Sequence, residues 1–161
     1  MKKIGLLSDT HNFLHPKINY YFKDCDEVWH AGDIGDYNLI EDIQFKKLRA
    51  VYGNIDGQDI RATFPKELNF KIEKINTYIT HIGGYPEKYS KEVKEKIKNI
   101  KPNLVICGHS HILKVIYDKK NNHLFINPGA AGKYGFHEKK TIIRFEINQD
   151  KIENLEIIEL K

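Results

Sequence analysis

Seven residues with oxygen or imidazole donors fall into five short clusters along the chain. They are Asp9 and His11 in Asp9-Thr10-His11, Asp33 in Gly32-Asp33, Asn54 in Gly53-Asn54, His81 in Thr80-His81, and His109 and His111 in Gly108-His109-Ser110-His111. Carboxylate and amide oxygens mixed with neutral imidazoles, and no thiolate, suit Mn²⁺, Fe²⁺, Co²⁺, Ni²⁺ or Zn²⁺ better than Ca²⁺ or a cysteine-type structural zinc. The set is too large for one tetrahedral ion. Divided between two ions that share one carboxylate, it matches a centre whose ions sit about 3.5–4 Å apart and clamp the attacking and leaving oxygens of a phosphoryl displacement. Each cluster alone says little, because Gly-Asp and Gly-Asn are ordinary turns and a single histidine after a strand is usually hydrogen-bonded structure. Their joint presence carries the inference.

Each cluster follows a short apolar run, and those runs are the elements that must position it. Lys3–Ser8, Glu27–His30, Leu48–Tyr52 and Asn103–Cys107 read as strands. Helices are expected at Lys17–Lys23, Asn38–Lys46 and Ser90–Lys101, the last opened by Ser90 as N-cap and closed before Pro102. The later chain reads as hairpin strands: Leu68–Lys74 with Tyr78–His81, then Lys114–Asp118, His123–Asn127, Thr141–Ile147 and Ile152–Leu160. Alternating strand and helix followed by hairpins predicts an α/β domain built as a two-sheet β-sandwich flanked by helices. Ligand-binding loops of such proteins lie beyond the C-terminal ends of the strands, where the five clusters fall.

With 161 residues, the chain is expected to form one domain spanning 1–161, with no repeat or linker. A composition of 40% hydrophobic and 30% charged residues excludes a disordered chain, and no apolar run approaches the roughly 20 residues of a membrane span. The start, MKKIGLLSDTH, reads as a first strand rather than a secretory signal, and two distant cysteines, Cys25 and Cys107, make no disulfide framework; both point to the cytoplasm. The net charge of +4 comes largely from lysines such as Lys94, Lys96, Lys98 and Lys101, interspersed with Glu92 and Glu95, which read as a solvated helix face rather than a nucleic-acid footprint.

Taken in order, Asp9-Thr10-His11, Gly32-Asp33, Gly53-Asn54, His81 and Gly108-His109-Ser110-His111, with Asn127-Pro128-Gly129 after a late strand, resemble the calcineurin-like metallophosphoesterases, specifically their compact bacterial and archaeal phosphodiesterases. The resemblance spans essentially the whole chain and implies a four-layer αββα sandwich. It also implies that one metal is held by Asp9, His11, Asp33 and His111 and the other by Asp33, Asn54, His81 and His109, with Asp33 bridging. The nucleophile would be a hydroxide bridging two divalent ions, with manganese the first choice and nickel, iron, cobalt or zinc the alternatives. The implied activity is hydrolysis of a small phosphodiester. A non-catalytic scaffold of the same fold and a nuclease are the competing readings, the scaffold disfavoured because it needs no complete ligand set. A homo-oligomer stays open, as does a nucleic-acid partner, though neither is favoured by the composition.

Two departures from the family pattern stand out. Many relatives carry a proton-donating histidine after the Gly-Asn pair, where this chain has Ile55, and a second histidine two residues after the equivalent of His81, where it has Gly83. Beyond the ligands, His30 reads as a structural or ligand-supporting residue, and Trp29 and Tyr52 as core. Asn12, Tyr85, Tyr89, Lys133 and His137 are candidates for contacts to the non-reacting part of a substrate, and His15 and His123 read as exposed.

Overall fold

Alternation along the first strand sends Ile4 and Leu6 into one apolar cluster and Leu7 into another, so this strand lies between two hydrophobic layers. In the computed structural model, which describes residues 1–161, that strand is β1 (Lys2–Leu7), followed by α1 (Ile18–Phe22), β2 (Glu27–His30), α2 (Tyr37–Asp42), β3 (Leu48–Ala50) and α3 (Gln58–Thr63). The chain continues through β4 (Glu67–Ile72), β5 (Ile75–Thr80), α4 (Lys91–Ile100), β6 (Leu104–Cys107), β7 (Lys114–Asp118), β8 (His123–Asn127), β9 (Lys140–Asn148) and β10 (Lys151–Leu160).

The strands form two mixed five-stranded sheets, ordered β10-β9-β1-β2-β3 and β4-β5-β6-β8-β7. In the first, β1, β2 and β3 are parallel; in the second, β5, β6 and β8 are parallel. The inner faces meet in a cluster that includes Ile4, Leu6, Trp29, Ile79, Leu104, Ile106, Ile126, Ile143 and Phe145. Complete burial of each such side chain is worth about 1.5–3 kcal/mol, which makes this layer the main adhesive between the sheets. Helices α1 to α3 close the outer face of the first sheet through Ile18, Phe22, Leu39, Ile40 and Ile60, and α4 closes that of the second through Val93 and Ile97. The architecture is therefore the expected αββα sandwich, with Trp29 in the core and Tyr52 packed at the edge of the outer cluster. No helix is long and apolar enough to cross a membrane.

The local departures have physical causes. Helix α2 stops at Asp42 instead of running to Lys46, because Asn19 of α1 donates from Nδ2 to the Asp42 carbonyl and accepts at Oδ1 from the Gln44 amide. That side chain satisfies the backbone groups at the helix end. Helix α3 was not expected: six residues with one buried position, Ile60, carry no readable 3.6-residue period. Ser90 caps α4 as expected, accepting from the Val93 amide.

Two histidines read as exposed are buried. His123 is fully enclosed, 2.8 Å from the Tyr89 hydroxyl and 3.6 Å from Asp118 Oδ2, and burial pulls its pKa below the ordinary value despite the neighbouring carboxylate. His15 is also buried and accepts from the Lys17 amide. Tyr89, expected at a substrate rim, is instead part of the α4 cluster. In each case polar sequence neighbours masked a position that tertiary packing covers.

Candidate metal centre

All six parallel strands finish at one end of the sandwich, and the loops leaving them converge there. Asp9 and His11 follow β1, Asp33 follows β2, Asn54 follows β3, His81 follows β5, and His109 and His111 follow β6. Five of these seven residues have left-handed backbones: Asp9 (φ 53°), His11 (43°), Asp33 (57°), His109 (71°) and His111 (62°). Such conformations cost a non-glycine residue about 1–3 kcal/mol and persist only where surrounding structure enforces them. Here the enforcement is backbone bonding between loops: the Asp9 amide donates to Gly32 O, His11 to Asp33 O, Gly108 to His81 O and Gly132 to Asp9 O.

Each carboxylate divides its oxygens between the scaffold and the centre. Asp9 Oδ2 accepts from Ser8 Oγ at 2.6 Å and from the His109 amide at 3.1 Å, which leaves Oδ1 at 3.1 Å from His111 Nε2. Asp33 Oδ1 accepts from the Ile55 amide at 3.0 Å, while Oδ2 lies 3.2 Å from both His11 Nε2 and His81 Nε2. Gly53 permits this approach, since a Cβ there would stand 2.1 Å from Asp33 Oδ1. Asn54 Oδ1 is 3.1 Å from His81 Nε2 and 3.1 Å from His109 Nδ1. Two compact donor groups result, Asp9 with His11 and His111, and Asp33 with His81 and His109, each bringing its donor atoms within 4.8 Å of one another.

The donor chemistry fits divalent cations. His81 Nδ1 lies 2.8 Å from the Ala31 carbonyl, which makes it the donor there and, in the neutral ring, leaves the Nε2 lone pair facing the Asn54 oxygen. Two acceptors turned towards each other require a proton or a cation between them. His11 Nε2 is likewise buried without a hydrogen-bond partner. Burial drives the Asp9 and Asp33 pKa values up, but the histidines around them outweigh it, and both carboxyls are held below the ordinary range. Both are thus ionised at neutral pH. For His81, burial is outweighed by Asp33 and Asp9, which raise its pKa.

All seven residues singled out in the sequence are brought together here. His30 sits behind them, completely buried: Nδ1 accepts from the Gly32 amide, and Nε2 lies 3.0 Å from Thr10 Oγ1, which donates to Ile34 O. Burial lowers its pKa to about 3. Of the other candidates, His137 borders the centre, its ring 5.1 Å from that of His111, Lys133 Nζ lies over the Phe13 ring, and Asn12 Oδ1 accepts from the Asp36 amide and holds a loop. Gly83 stands where a side chain cannot, as its Cβ would be 2.5 Å from Cys107 Sγ, so the histidine of many relatives is excluded there by packing.

Two residues at the centre escaped the sequence reading. Ser8 orients Asp9. Asp56, buried beneath the Asn54 loop, accepts from the Gly53 and Ile34 amides through Oδ2 and from Gly35 through Oδ1. Asp56 thereby ties the loop of Asn54 to that of Asp33. The only trace in the sequence is its place two residues after Asn54, where it reads as a turn.

A two-sheet sandwich with paired carboxylate and histidine clusters at its strand ends defines a metallophosphoesterase-type protein. The calcineurin-like phosphoesterase superfamily domain matches residues 1–150, and the chain belongs to that superfamily. No curated protein matches it significantly. Among solved structures, it is similar to Vps29 of Chaetomium thermophilum (TM-score 0.78, 12% identity, 99% of this chain and 97% of that one). It is similar also to an archaeal phosphodiesterase (TM-score 0.76, 25% identity, 97% and 99%) and to Entamoeba histolytica Vps29 complexed with zinc (TM-score 0.72, 15% identity, 99% of each chain).

Proposed function

We propose that residues 1–161 act as one metal-dependent phosphodiesterase domain. The first ion would be held by Asp9, His11, Asp33 and His111, and the second by Asp33, Asn54, His81 and His109. The observation that carries the reading is Asp33 Oδ2, equidistant at 3.2 Å from a histidine of each cluster, so that one carboxylate could serve both. Two divalent cations, manganese first among them, would supply a hydroxide nucleophile at neutral pH and polarise the phosphoryl oxygens.

The chain's own groups set up that chemistry. Ser8 and the Ile55 amide fix the outward oxygens of the two aspartates, and Ala31 fixes the His81 ring, so each ligand atom is aimed before metal arrives. Ile55 is exposed beside Asn54 and holds no transferable proton, so the departing oxygen takes its proton from water. No side-chain nucleophile takes part: Cys107 is fully buried and its pKa is raised to about 12.

The likeness to Vps29, one of whose structures carries zinc, means that metal retention alone does not separate an enzyme from a scaffold. Turnover does. Metal-reconstituted protein should hydrolyse bis-p-nitrophenyl phosphate, and Asp33→Ala should abolish this. Two bound ions with no turnover of diesters, monoesters or cyclic nucleotides would favour the scaffold.

A further inference from the structure

The loop between β8 and β9 presses directly on the ligands. The Tyr134 ring stacks on His11 with centroids 5.0 Å apart and planes 25° from parallel. Gly135 has φ 129°, and a Cβ there would lie 2.2 Å from His111 Nδ1, so backbone packs against that ligand. The His137 ring meets His111 edge-on at 5.1 Å and is anchored by its Nε2 donating to Gly132 O at 2.6 Å. Phe136, between two residues in contact with His111, is wholly exposed; Tyr134 is 70% exposed and Ile112, next to His111, 64%. Single exposed apolar residues are ordinary, but three gathered beside one half of a polar centre mark a contact surface.

We propose that residues 133–137 form a specificity lip, in which Tyr134 and Phe136 stack on a planar aromatic group carried by the ester that stays on phosphorus. The inference rests on the phosphoesterase reading above. Tyr134, stacked on His11, and Phe136, between two residues that touch His111, lie beside the place where a phosphoryl group held at those residues would carry its substituent. Aromatic stacking tolerates many ring types, so an aryl ester and a nucleobase are two sources of the same chemistry.

The test holds the leaving group constant. The p-nitrophenyl esters of methyl phosphate, phenyl phosphate and thymidine 5′-phosphate are compared on Mn²⁺-loaded wild type and Phe136→Ala, a variant expected to fold because the ring packs on nothing. The expected result is a roughly fivefold fall in the kcat/KM ratio of an aromatic ester to the methyl ester, the weak end of base–aromatic stacking. A fall with phenyl points to aryl esters, and a fall with thymidine alone to a nucleobase. Unchanged ratios for both overturn the proposal. In parallel, binding of phenylphosphonate against methylphosphonate is measured by calorimetry on the loaded proteins. Should wild type hydrolyse no ester, the phosphoesterase reading fails and this arm decides the lip: Phe136→Ala must narrow the phenyl preference, and an unchanged preference refutes it.

Discussion

Asp56 should matter as much as a ligand although it touches no metal. Its carboxylate accepts three backbone amides, two of them, Gly53 and Ile34, in fully buried residues. Asp56→Ala strands those two donors, and each buried amide left unpaired costs about 1–3 kcal/mol. A net loss of about 3 kcal/mol is expected, which for a chain of this size lowers Tm by roughly 6–12 °C. The same bonds hold the Asn54 loop against the Asp33 loop, and losing an outer support of this kind weakens metal binding about 10–100-fold. Asp56→Asn, which keeps one acceptor oxygen but turns an amide towards a Gly amide, should fall between wild type and alanine. Thermal melts of metal-free protein and a competitive Mn²⁺ titration measure the two effects separately. A Tm within about 2 °C of wild type together with unchanged metal affinity would refute the claim that Asp56 couples the loops.

Three further outcomes follow from the site geometry. Asp33→Ala should empty both metal positions by elemental analysis, whereas Asn54→Ala should lower the content of one, because a neutral amide serves a single ion; equal losses would remove the bridging role. With Ile55 unable to give a proton, rates should fall steeply as leaving-group pKa rises, and Ile55→His should flatten that dependence, since a general acid contributes about 10²–10⁴-fold to poor leaving groups; a shallow slope in wild type, with chemistry rate-limiting, contradicts this. His30 has a folded pKa near 3 against an ordinary value of about 6.5, so the unfolded chain takes up a proton that the folded one refuses. Its contribution is therefore present above pH 6.5 and lost as pH falls towards 3, by about 1 kcal/mol per unit, and urea midpoints at pH 7, 6 and 5 should fall less in His30→Asn than in wild type.

The sequence disclosed the parts of this fold that local pattern determines. Strands β2, β7 and β8 are bounded as expected because short apolar runs end there at turn residues, and Ser90 caps α4 because its hydroxyl finds an amide three residues on. What it withheld depends on distant partners. The apolar pattern carries strand β3 on to Tyr52, but the Tyr52 amide donates to the Pro65 carbonyl instead of continuing the ladder. Ser8 and Asp56 are invisible as site residues because their importance lies in which amides and oxygens tertiary structure brings to them. The proposed lip is hidden for the same reason: its loop offers Lys133 and His137 as polar candidates, but nothing local marks Tyr134 and Phe136 as neighbours of the centre.

The seven candidate ligands show how a site can be legible as a set while its assembly is not. His109 and His111 are two residues apart, the spacing that would put both on one side of an extended strand, yet their left-handed backbones send them to different clusters. Each cluster also draws on both sheets: Asp9 and His11 from the first join His111 from the second, and Asp33 from the first joins His81 and His109 from the second. Neither sheet alone holds all the donors of either group. The donor clusters therefore come together only when the Ile4, Trp29, Ile79 and Ile106 layer has locked the sheets together, and the strain in the five left-handed residues is sustained by bonds between loops of separate strands. A donor set dispersed over a hundred residues thereby acts as one rigid cage, with its geometry set by the packing of the sandwich beneath it.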